Sequence, residues 1–301
     1  MKIAYNWAHN TFYSAQKLNT QTAYDIGGVD KVFEYTMSDI ERLGPEFYTR
    51  NQHILSQKRG SGYWLFKMFF ANYLLNSTEV PEDSWIIYAD SGCYYVDSVD
   101  HIINVLERDG QSIFISRQNH LSYIWTKIDS FVYTDTNESK YTHSCMRAAG
   151  WQIFKKNDFS RKFYSEFLTY AQDYRVLTDA PNECGYPNYP GFRENRHDES
   201  LISLLAKKYE LYPYRNPSQH GFCDDVDWTQ NKYGEQGLKE MVERHGPISE
   251  WLNKYGLYFH GESLNQFPAF PNDIDDRSTY PQVFHLHRNS NITEVEPQHK
   301  R

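Results

Sequence analysis

The run Trp85–Ala89 constrains the fold most, because it contains no charged residue and consists of β-branched and aromatic side chains with one alanine. Such a run predicts a strand buried on both faces, as in parallel or mixed α/β sheets. It stops at an acidic turn formed by Asp90, Ser91 and Gly92. Ligands of α/β sheets bind outside the carboxyl ends of the strands. The sequence therefore predicts an α/β fold with a ligand site beside Asp90.

Strand-like and helix-like patterns alternate along the chain. Short apolar runs predict strands at residues 1–7, 85–89, 112–116, 151–154 and 283–288. Apolar residues at helical spacing predict helices at residues 62–75, 99–109, 160–173 and 199–209. Residues 23–42 are interpreted as a loop with short helical pieces. The pattern predicts an α/β catalytic domain over residues 1–223, a helical and loop lobe over 224–282, and a returning strand and tail over 283–301.

Charge and apolar patterning exclude several classes of protein. The net charge is −8 and no internal Lys/Arg run occurs, so no nucleic-acid partner is expected. The longest apolar stretch, residues 54–75, is broken by three cations, so no membrane span is predicted. Asn6, His9 and Asn10 interrupt the apolar residues near position 1, so no signal peptide is predicted either, and a cytoplasmic location is expected. No CxxC pair occurs among the cysteines, so zinc is not expected. The four cysteines are Cys93, Cys145, Cys184 and Cys223.

The acidic turn after residues 85–89 is the first candidate site. A carboxylate just past a strand end can hold Mn²⁺ or Mg²⁺ against the phosphates of a nucleotide, since both ions prefer oxygen ligands. Asp90 supplies one carboxylate, but Gly92 stands where a second aspartate would complete the pair. An ordinary strand-to-turn Asp-Ser-Gly is the alternative interpretation.

A second candidate lies at residues 59–67, where Arg59 precedes a glycine-containing turn and Lys67 lies on the predicted helix. Backbone N–H groups at a helix start and two cations could together neutralise a diphosphate. The segment matches neither the P-loop nor the G-x-G-x-x-G pattern. The alternative is a helix cap followed by a lysine whose stem packs along the surface.

Two further candidates lie late in the chain. Asp198 and Glu199 follow His197 at a predicted helix start, where a carboxylate could face an acceptor hydroxyl or an anomeric carbon; Asp198 could equally be a helix cap. His285 and His287 are separated by one residue, so both rings would lie on one face of a strand. Either ring could complete a metal site with an aspartate, or play only a structural role.

Four motifs, in order along residues 20–220, resemble those of a family of GT-A-type glycosyltransferases found in bacteria, phages and large viruses. They are Arg-Gly-x-Gly-Tyr-Trp-x-x-Lys at 59–67, Tyr-x-Asp-x-Gly at 88–92, Ala-Gly with a basic pair at 149–156, and Thr-Asp-x-Pro-Asn with His-Asp-Glu-Ser at 178–205. The resemblance implies a GT-A-like mixed sheet flanked by helices, with a small C-terminal lobe. It also implies transfer of a sugar from a UDP- or GDP-sugar to a glycan or other hydroxyl acceptor.

The motif order is also similar to that of glycogenin and the galactosyltransferases, and site roles follow from that resemblance. Donor-binding residues would be Arg59, Lys67, Asp90, Ser91 and Gly92. Acceptor-binding residues would be Gly150, Tyr189 and His197. Catalytic residues would be Asp198 and Glu199, and metal ligands would be Asp90 with His285 or His287. Gly92 replaces an aspartate and Glu199 a glutamine of the related motifs, so the need for Mn²⁺ or Mg²⁺ and the stereochemical outcome both stay open.

Three alternatives to a glycosyltransferase are open. Aromatic residues form 17% of the chain and could stack on sugars in a binding module, but the α/β alternation does not suit the small β-sandwiches typical of such modules. A catalytically weak GT-A scaffold in a glycan-synthesis complex is compatible with Gly92. A nucleotidyltransferase would need an N-terminal glycine-rich signature, which residues 24–28 match poorly.

Overall fold

A computed structural model describes residues 1–222 and 274–297. The strands are β1 (Lys2–Trp7), β2 (Lys31–Tyr35), β3 (Trp85–Ala89), β4 (Cys93–Tyr95), β5 (Ile113–Phe114), β6 (Arg117–Leu121), β7 (Cys145–Arg147), β8 (Trp151–Lys155) and β9 (Phe284–Leu286). The main helices are α1 (Tyr13–Asp25), α2 (Met37–Leu43), α3 (Pro45–Arg50), α4 (Gln52–Leu55), α5 (Gly60–Tyr63), α6 (Leu65–Asn76) and α7 (Asp100–Asp109). They continue with α8 (Ser122–Trp125), α9 (Ile128–Tyr133), α10 (Ser139–Thr142), α11 (Asp158–Ala171), α12 (Tyr174–Leu177), α13 (Asp198–Lys208) and α14 (Ile274–Arg277).

The central sheet is mixed, in the order β2-β1-β3-β8-β5. Strand β1 pairs in parallel with both β2 and β3, whereas β8 runs antiparallel to β3 and to β5. Two short ribbons, β4-β9 and β6-β7, lie beside it. The predicted mixed α/β sheet is therefore confirmed.

Helices cover both faces of this sheet. Along β3, Ile86 and Tyr88 join one buried apolar cluster with residues of α6, α11 and α13. The neighbouring residues Trp85, Ile87 and Ala89 join a second cluster with α1 and α7. Strand β3 is thus buried on both faces, as its uninterrupted apolar run predicted, because consecutive side chains of a strand point to opposite faces.

The order of the strands creates a crevice at one edge of the sheet. The chain passes from β1 through α1 to β2, and β3 then pairs with the other side of β1. The chain leaving β1 and the chain leaving β3 therefore diverge at their carboxyl ends. The place where they diverge is the switch point of the sheet, and in open α/β sheets ligands bind there.

The predicted lobe at residues 224–282 lies largely outside the described residues. The returning strand is seen as β9, whose Phe284 pairs with Tyr95 of β4. Among the described residues no helix has both the length and the apolar character that a membrane crossing requires.

The long segment 178–196 is irregular and is tied to α9. The buried carboxylate of Asp129 accepts hydrogen bonds from the backbone N–H groups of Glu183 and Cys184, at 2.9 and 3.0 Å. Lys127 donates to the carbonyl of Ala180 at 2.5 Å. These bonds fix the middle of the segment against the body of the protein.

Candidate functional site

A cavity of about 540 Å³ opens at the switch point between β1 and β3. The residues after β1 form one wall, the residues after β3 form another, and the end of β9 closes a third side. Its lining includes Trp7, His9, Asn10, Thr11, Phe12, Lys58, Gly60, Ser61, Trp64, Phe66, Tyr88, Asp90, Ser91, Gly92, Gln118, Ala148, Gly150, Trp151, Glu199, Leu286 and Arg288. The volume is in the range of pockets that hold small molecules and cofactors.

A buried lysine lies directly behind the cavity wall. The ammonium of Lys67, 3% exposed, is 2.8 Å from Asp198 Oδ2 and 3.1 Å from Asp90 Oδ1. It also donates to the carbonyl of Ala149 at 3.1 Å. Helix α6, the turn after β3 and the first turn of α13 are thereby joined through one cation. Each buried charge requires a partner, so these contacts balance the buried charges. They also hold the three elements in a fixed arrangement.

The protonation of this group follows from burial and from the paired charges. Burial disfavours the charged form of Lys67, but the carboxylates of Asp198 and Asp90 outweigh it and raise the pKa of the ammonium above its ordinary value. Burial raises the pKa of the Asp198 carboxyl to about 6, although Lys67 acts in the opposite direction. At neutral pH Lys67 is therefore a permanent cation held between two carboxylates.

Asp90 connects the lysine to the cavity. Its Oδ1 accepts a hydrogen bond from the Tyr88 hydroxyl at 2.5 Å, in addition to its contact with Lys67. A Cβ atom added to Gly150 would lie 3.3 Å from Oδ2, so this side of the carboxylate faces a position without a side chain. The side chain of Asp90 is 32% exposed and reaches the cavity.

Glu199 is the second carboxylate of the cavity wall. Its Oε1 accepts a hydrogen bond from Gln118 Nε2 at 2.8 Å. Burial raises the pKa of Glu199 to about 7; the Gln118 hydrogen bond opposes this shift and the neighbouring Asp198 adds to it. A carboxyl group that titrates near neutral pH and faces a cavity is suited to accept a proton.

The short element α5 (Gly60–Tyr63), just before α6, is not an ordinary α-helix. Gly60, Ser61, Gly62, Tyr63 and Trp64 all have positive φ, between 50° and 90°. Backbone bonds from Tyr63 N to Arg59 O (2.8 Å) and from Trp64 N to Gly60 O (3.0 Å) complete one left-handed helical turn. Left-handed turns of L-residues are strained, and such strain clusters at functional sites. Three residues of this turn, Gly60, Ser61 and Trp64, line the cavity.

We expect Gly62→Ala to destabilise the protein by about 3 kcal/mol, the sum of left-handed backbone strain and a steric clash. A Cβ at Gly62 (φ 90°) would lie 2.7 Å from the Cα of Leu55. Gly185→Ala is the matched control, because Gly185 has φ 86° and a Cβ there meets nothing within 4 Å. Urea denaturation of both variants measures the difference, and equal losses would show that the contact with Leu55 is unimportant.

The ribbon β4-β9 determines which late residues face the cavity. Tyr94 lies opposite His285 in this ribbon, and its ring stacks on those of His285 and His287 at 5.1 and 5.6 Å. The alternate residues Leu286 and Arg288 line the cavity instead. Within the described residues the cavity lining includes neither histidine, although the His287 ring makes a hydrogen bond to the backbone of Ser91, next to Asp90. Their role as metal ligands stays a prediction.

The structure brings together five of the residues expected at the site. Those that line the cavity are Asp90, Ser91, Gly92, Gly150 and Glu199. Lys67 and Asp198 form the buried pair behind the wall. Arg59 instead pairs with Asp179 and Glu194 at 3.2 and 3.1 Å. The sequence pattern thus located the acidic turn and the start of α13, but not the direction in which each side chain points.

Two expected acceptor residues are buried away from the cavity. Tyr189 belongs to an apolar cluster and its hydroxyl donates to Asn137 Oδ1 at 2.6 Å. The ring of His197 packs on those of Tyr63 and Trp64, and its Nδ1 is 2.8 Å from the carbonyl of Leu177. Both side chains are almost fully buried, so neither ring is available to a sugar. His197 packs against the left-handed turn.

Several lining residues were missed because they come from segments that only the topology brings together. The chain after β1 contributes His9 to Phe12, β6 contributes Gln118, and the end of β9 contributes Arg288. The one available signal was the position of residues 9–12 after a predicted strand in an α/β fold. Gln118 and Arg288 carry no pattern that marks them in the sequence.

No protein-family model matches the chain, and no curated protein matches it. Among solved structures, it is similar to mouse xyloside xylosyltransferase 1 in its apo form, with 10% identity, a TM-score of 0.44, and coverage of 95% of this chain and 96% of that chain. At this identity the likeness concerns the backbone arrangement alone, and at this TM-score it carries no argument about function.

Proposed function

We propose that this protein is a glycosyltransferase, which moves a sugar from a nucleotide-diphosphate sugar to a hydroxyl group of a glycan or similar acceptor. The observation that carries the proposal is the cavity at the switch point, which combines a carboxyl of pKa about 7, Glu199, with Asp90 and with exposed cations. A nucleotide donor suits such a crevice, since α/β sheets bind nucleotides there. The four ordered motifs of the sequence favour the same activity.

In the proposed reaction the bond between the anomeric carbon and the diphosphate oxygen breaks, and a bond from that carbon to the acceptor oxygen forms. The electron pair of the broken bond leaves with the diphosphate. Glu199 accepts the proton of the acceptor hydroxyl, as a general base with a pKa near the working pH. This role predicts inversion at the anomeric carbon, because in a single displacement the acceptor oxygen attacks from the face opposite the leaving group.

Asp198 has a supporting role in this scheme. Because its carboxylate is 6% exposed and 2.8 Å from Lys67, it orients the lysine and the start of α13 rather than meeting the acceptor. Of the two adjacent carboxylates, Glu199 is the one that lines the cavity. Of the two predicted catalytic residues, we therefore propose Glu199 alone as the general base.

A panel of donors tests the proposal. UDP-, GDP- and CDP-sugars are added to the protein and the melting temperature is measured, because a ligand that binds only the folded state raises it. We expect one nucleotide class to raise the melting temperature, and the same donor to release its nucleoside diphosphate when incubated with the enzyme. Binding without any release or transfer would favour the catalytically weak scaffold instead.

A further inference from the structure

Position 92, where related motifs place a metal-binding aspartate, is packed against the chain end of β9. A Cβ added to Gly92 would lie 3.6 Å from the Cα of Arg288. The Gly92 carbonyl accepts backbone hydrogen bonds from His287 at 2.9 Å and from Arg288 at 3.1 Å. A side chain at this position would start in van der Waals contact with the backbone of Arg288, so residues 92 and 288 are direct neighbours at the cavity.

We propose that Arg288, assisted by Lys58, supplies the positive charge for the donor diphosphate, so that donor binding needs no divalent metal. This inference rests on the proposed function of the cavity. Both side chains are exposed and both residues line the cavity. Within residues 1–222 and 274–297, neither makes an ion pair. Two cations match the two negative charges of a nucleoside diphosphate bound to a sugar.

The oxygen atoms near Asp90 do not fit a divalent ion well. Asp90 Oδ1 already accepts from Tyr88 and contacts Lys67, and the carbonyl of Gly92 accepts two backbone N–H groups. Only Oδ2 remains among these atoms, whereas Mn²⁺ and Mg²⁺ prefer several oxygen ligands. In the part of the chain that the structure describes, no group of three His, Cys, Asp or Glu side chains is arranged to hold a metal.

The backbone of Arg288 is held in a conformation that arginine rarely adopts. Its φ is 56°, in the left-handed region, and its N–H is fixed by the Gly92 carbonyl. Positive φ in a residue with a long side chain is uncommon and indicates a local constraint, which at a site is often functional. This geometry places the residue at the cavity rather than along the continuing ribbon.

The experiment compares the binding of nucleoside monophosphates and diphosphates (UMP and UDP, GMP and GDP, CMP and CDP) by titration calorimetry. Each titration is done in EDTA and again in Mn²⁺, with the wild type, Arg288→Gln, Arg288→Lys and Lys58→Gln. Arg50→Gln is the matched control, because Arg50 is exposed and does not line the cavity. Melting temperatures confirm that each variant is folded.

We expect the wild type to bind one diphosphate equally well, within about twofold, in EDTA and in Mn²⁺. Arg288→Gln should lower the affinity for that diphosphate by roughly tenfold or more, as expected for a lost charge-assisted hydrogen bond. The affinity for the monophosphate should change less. Arg288→Lys should restore part of the affinity, Lys58→Gln should weaken diphosphate binding less than Arg288→Gln does, and Arg50→Gln should have no effect.

Two outcomes would overturn the inference alone: diphosphate binding by the wild type that requires Mn²⁺, or diphosphate binding that Arg288→Gln leaves unchanged. Both would leave the proposed transferase function standing. If none of the six nucleotides binds the wild type in either buffer, the inference and the proposed function fail together.

Discussion

Glu199→Gln is expected to reduce the rate of sugar transfer by about 10²- to 10⁴-fold, the usual contribution of a positioned general base. The substitution keeps the shape of the side chain and a polar partner for Gln118, but it cannot accept a proton. The measurement is the release of nucleoside diphosphate from the donor, with and without acceptor. Glu166→Gln is the matched control, since Glu166 lies on α11, pairs with Lys208 of α13 and does not line the cavity.

The same residue should determine the pH dependence of the reaction. Because the pKa of Glu199 is raised to about 7, the base is largely protonated below that pH, and the rate should rise as pH increases through about 7. A pH profile without an inflection near neutral pH, or a Glu199→Gln protein that keeps its full rate, would contradict the assignment.

Loss of activity in Glu199→Gln should not come from unfolding. A carboxyl whose pKa is higher in the folded than in the unfolded protein binds its proton more tightly when folded. Its ionisation therefore reduces the stability of the folded state as pH rises from the unfolded value towards about 7. The glutamine variant avoids this loss, so at pH 8 we expect it to be as stable as the wild type or more stable.

Lys67→Met is expected to destabilise the protein by about 3–5 kcal/mol, because removing one partner of a buried charge group leaves the others uncompensated. The lysine is 3% exposed and is shared by Asp90 and Asp198. Urea denaturation should show a lower midpoint with little change in slope. Lys162→Met is the control; this exposed lysine contacts the Tyr209 ring at 5.7 Å, and we expect a change within about 0.5 kcal/mol.

A double-mutant cycle separates the charge interaction from the loss of packing. Lys67→Met combined with Asp198→Asn removes a positive and a negative charge together. We expect the double variant to be more stable than the sum of the single changes predicts, by about 1 kcal/mol or more. Strict additivity would mean that the 2.8 Å contact contributes no coupling and that Lys67 acts only by filling space.

The sequence predicted those elements whose apolar pattern is unambiguous. Strand β3 was predicted because its uninterrupted run suits burial on both faces, and α13 differs from the predicted helix by one residue at each end. Helix α1 was missed because its buried side includes polar residues such as Asn19 and Thr22. Strand β2 was missed because this edge strand carries Lys31 and Glu34 and is mostly half-buried.

The site was predicted in part for the same physical reason. Asp90 and Glu199 belong to short motifs at the ends of recognisable elements, so local pattern was sufficient to select them. The partnership of Lys67 with both carboxylates depends on contacts 23 and 131 residues apart in the chain, from position 67 to positions 90 and 198. Spacing alone does not encode such contacts, and the register of β4 with β9 likewise decided that Arg288 and not His285 faces the cavity.

The most direct test of the account is a crystal structure of the protein with the nucleoside diphosphate that raises its melting temperature most. The account predicts electron density for the nucleotide in the cavity between residues 9–12 and residues 90–92, with the diphosphate in contact with Arg288. Density for the nucleotide at any other place on the molecule, with this cavity filled only by water, would contradict the assignment of the donor site.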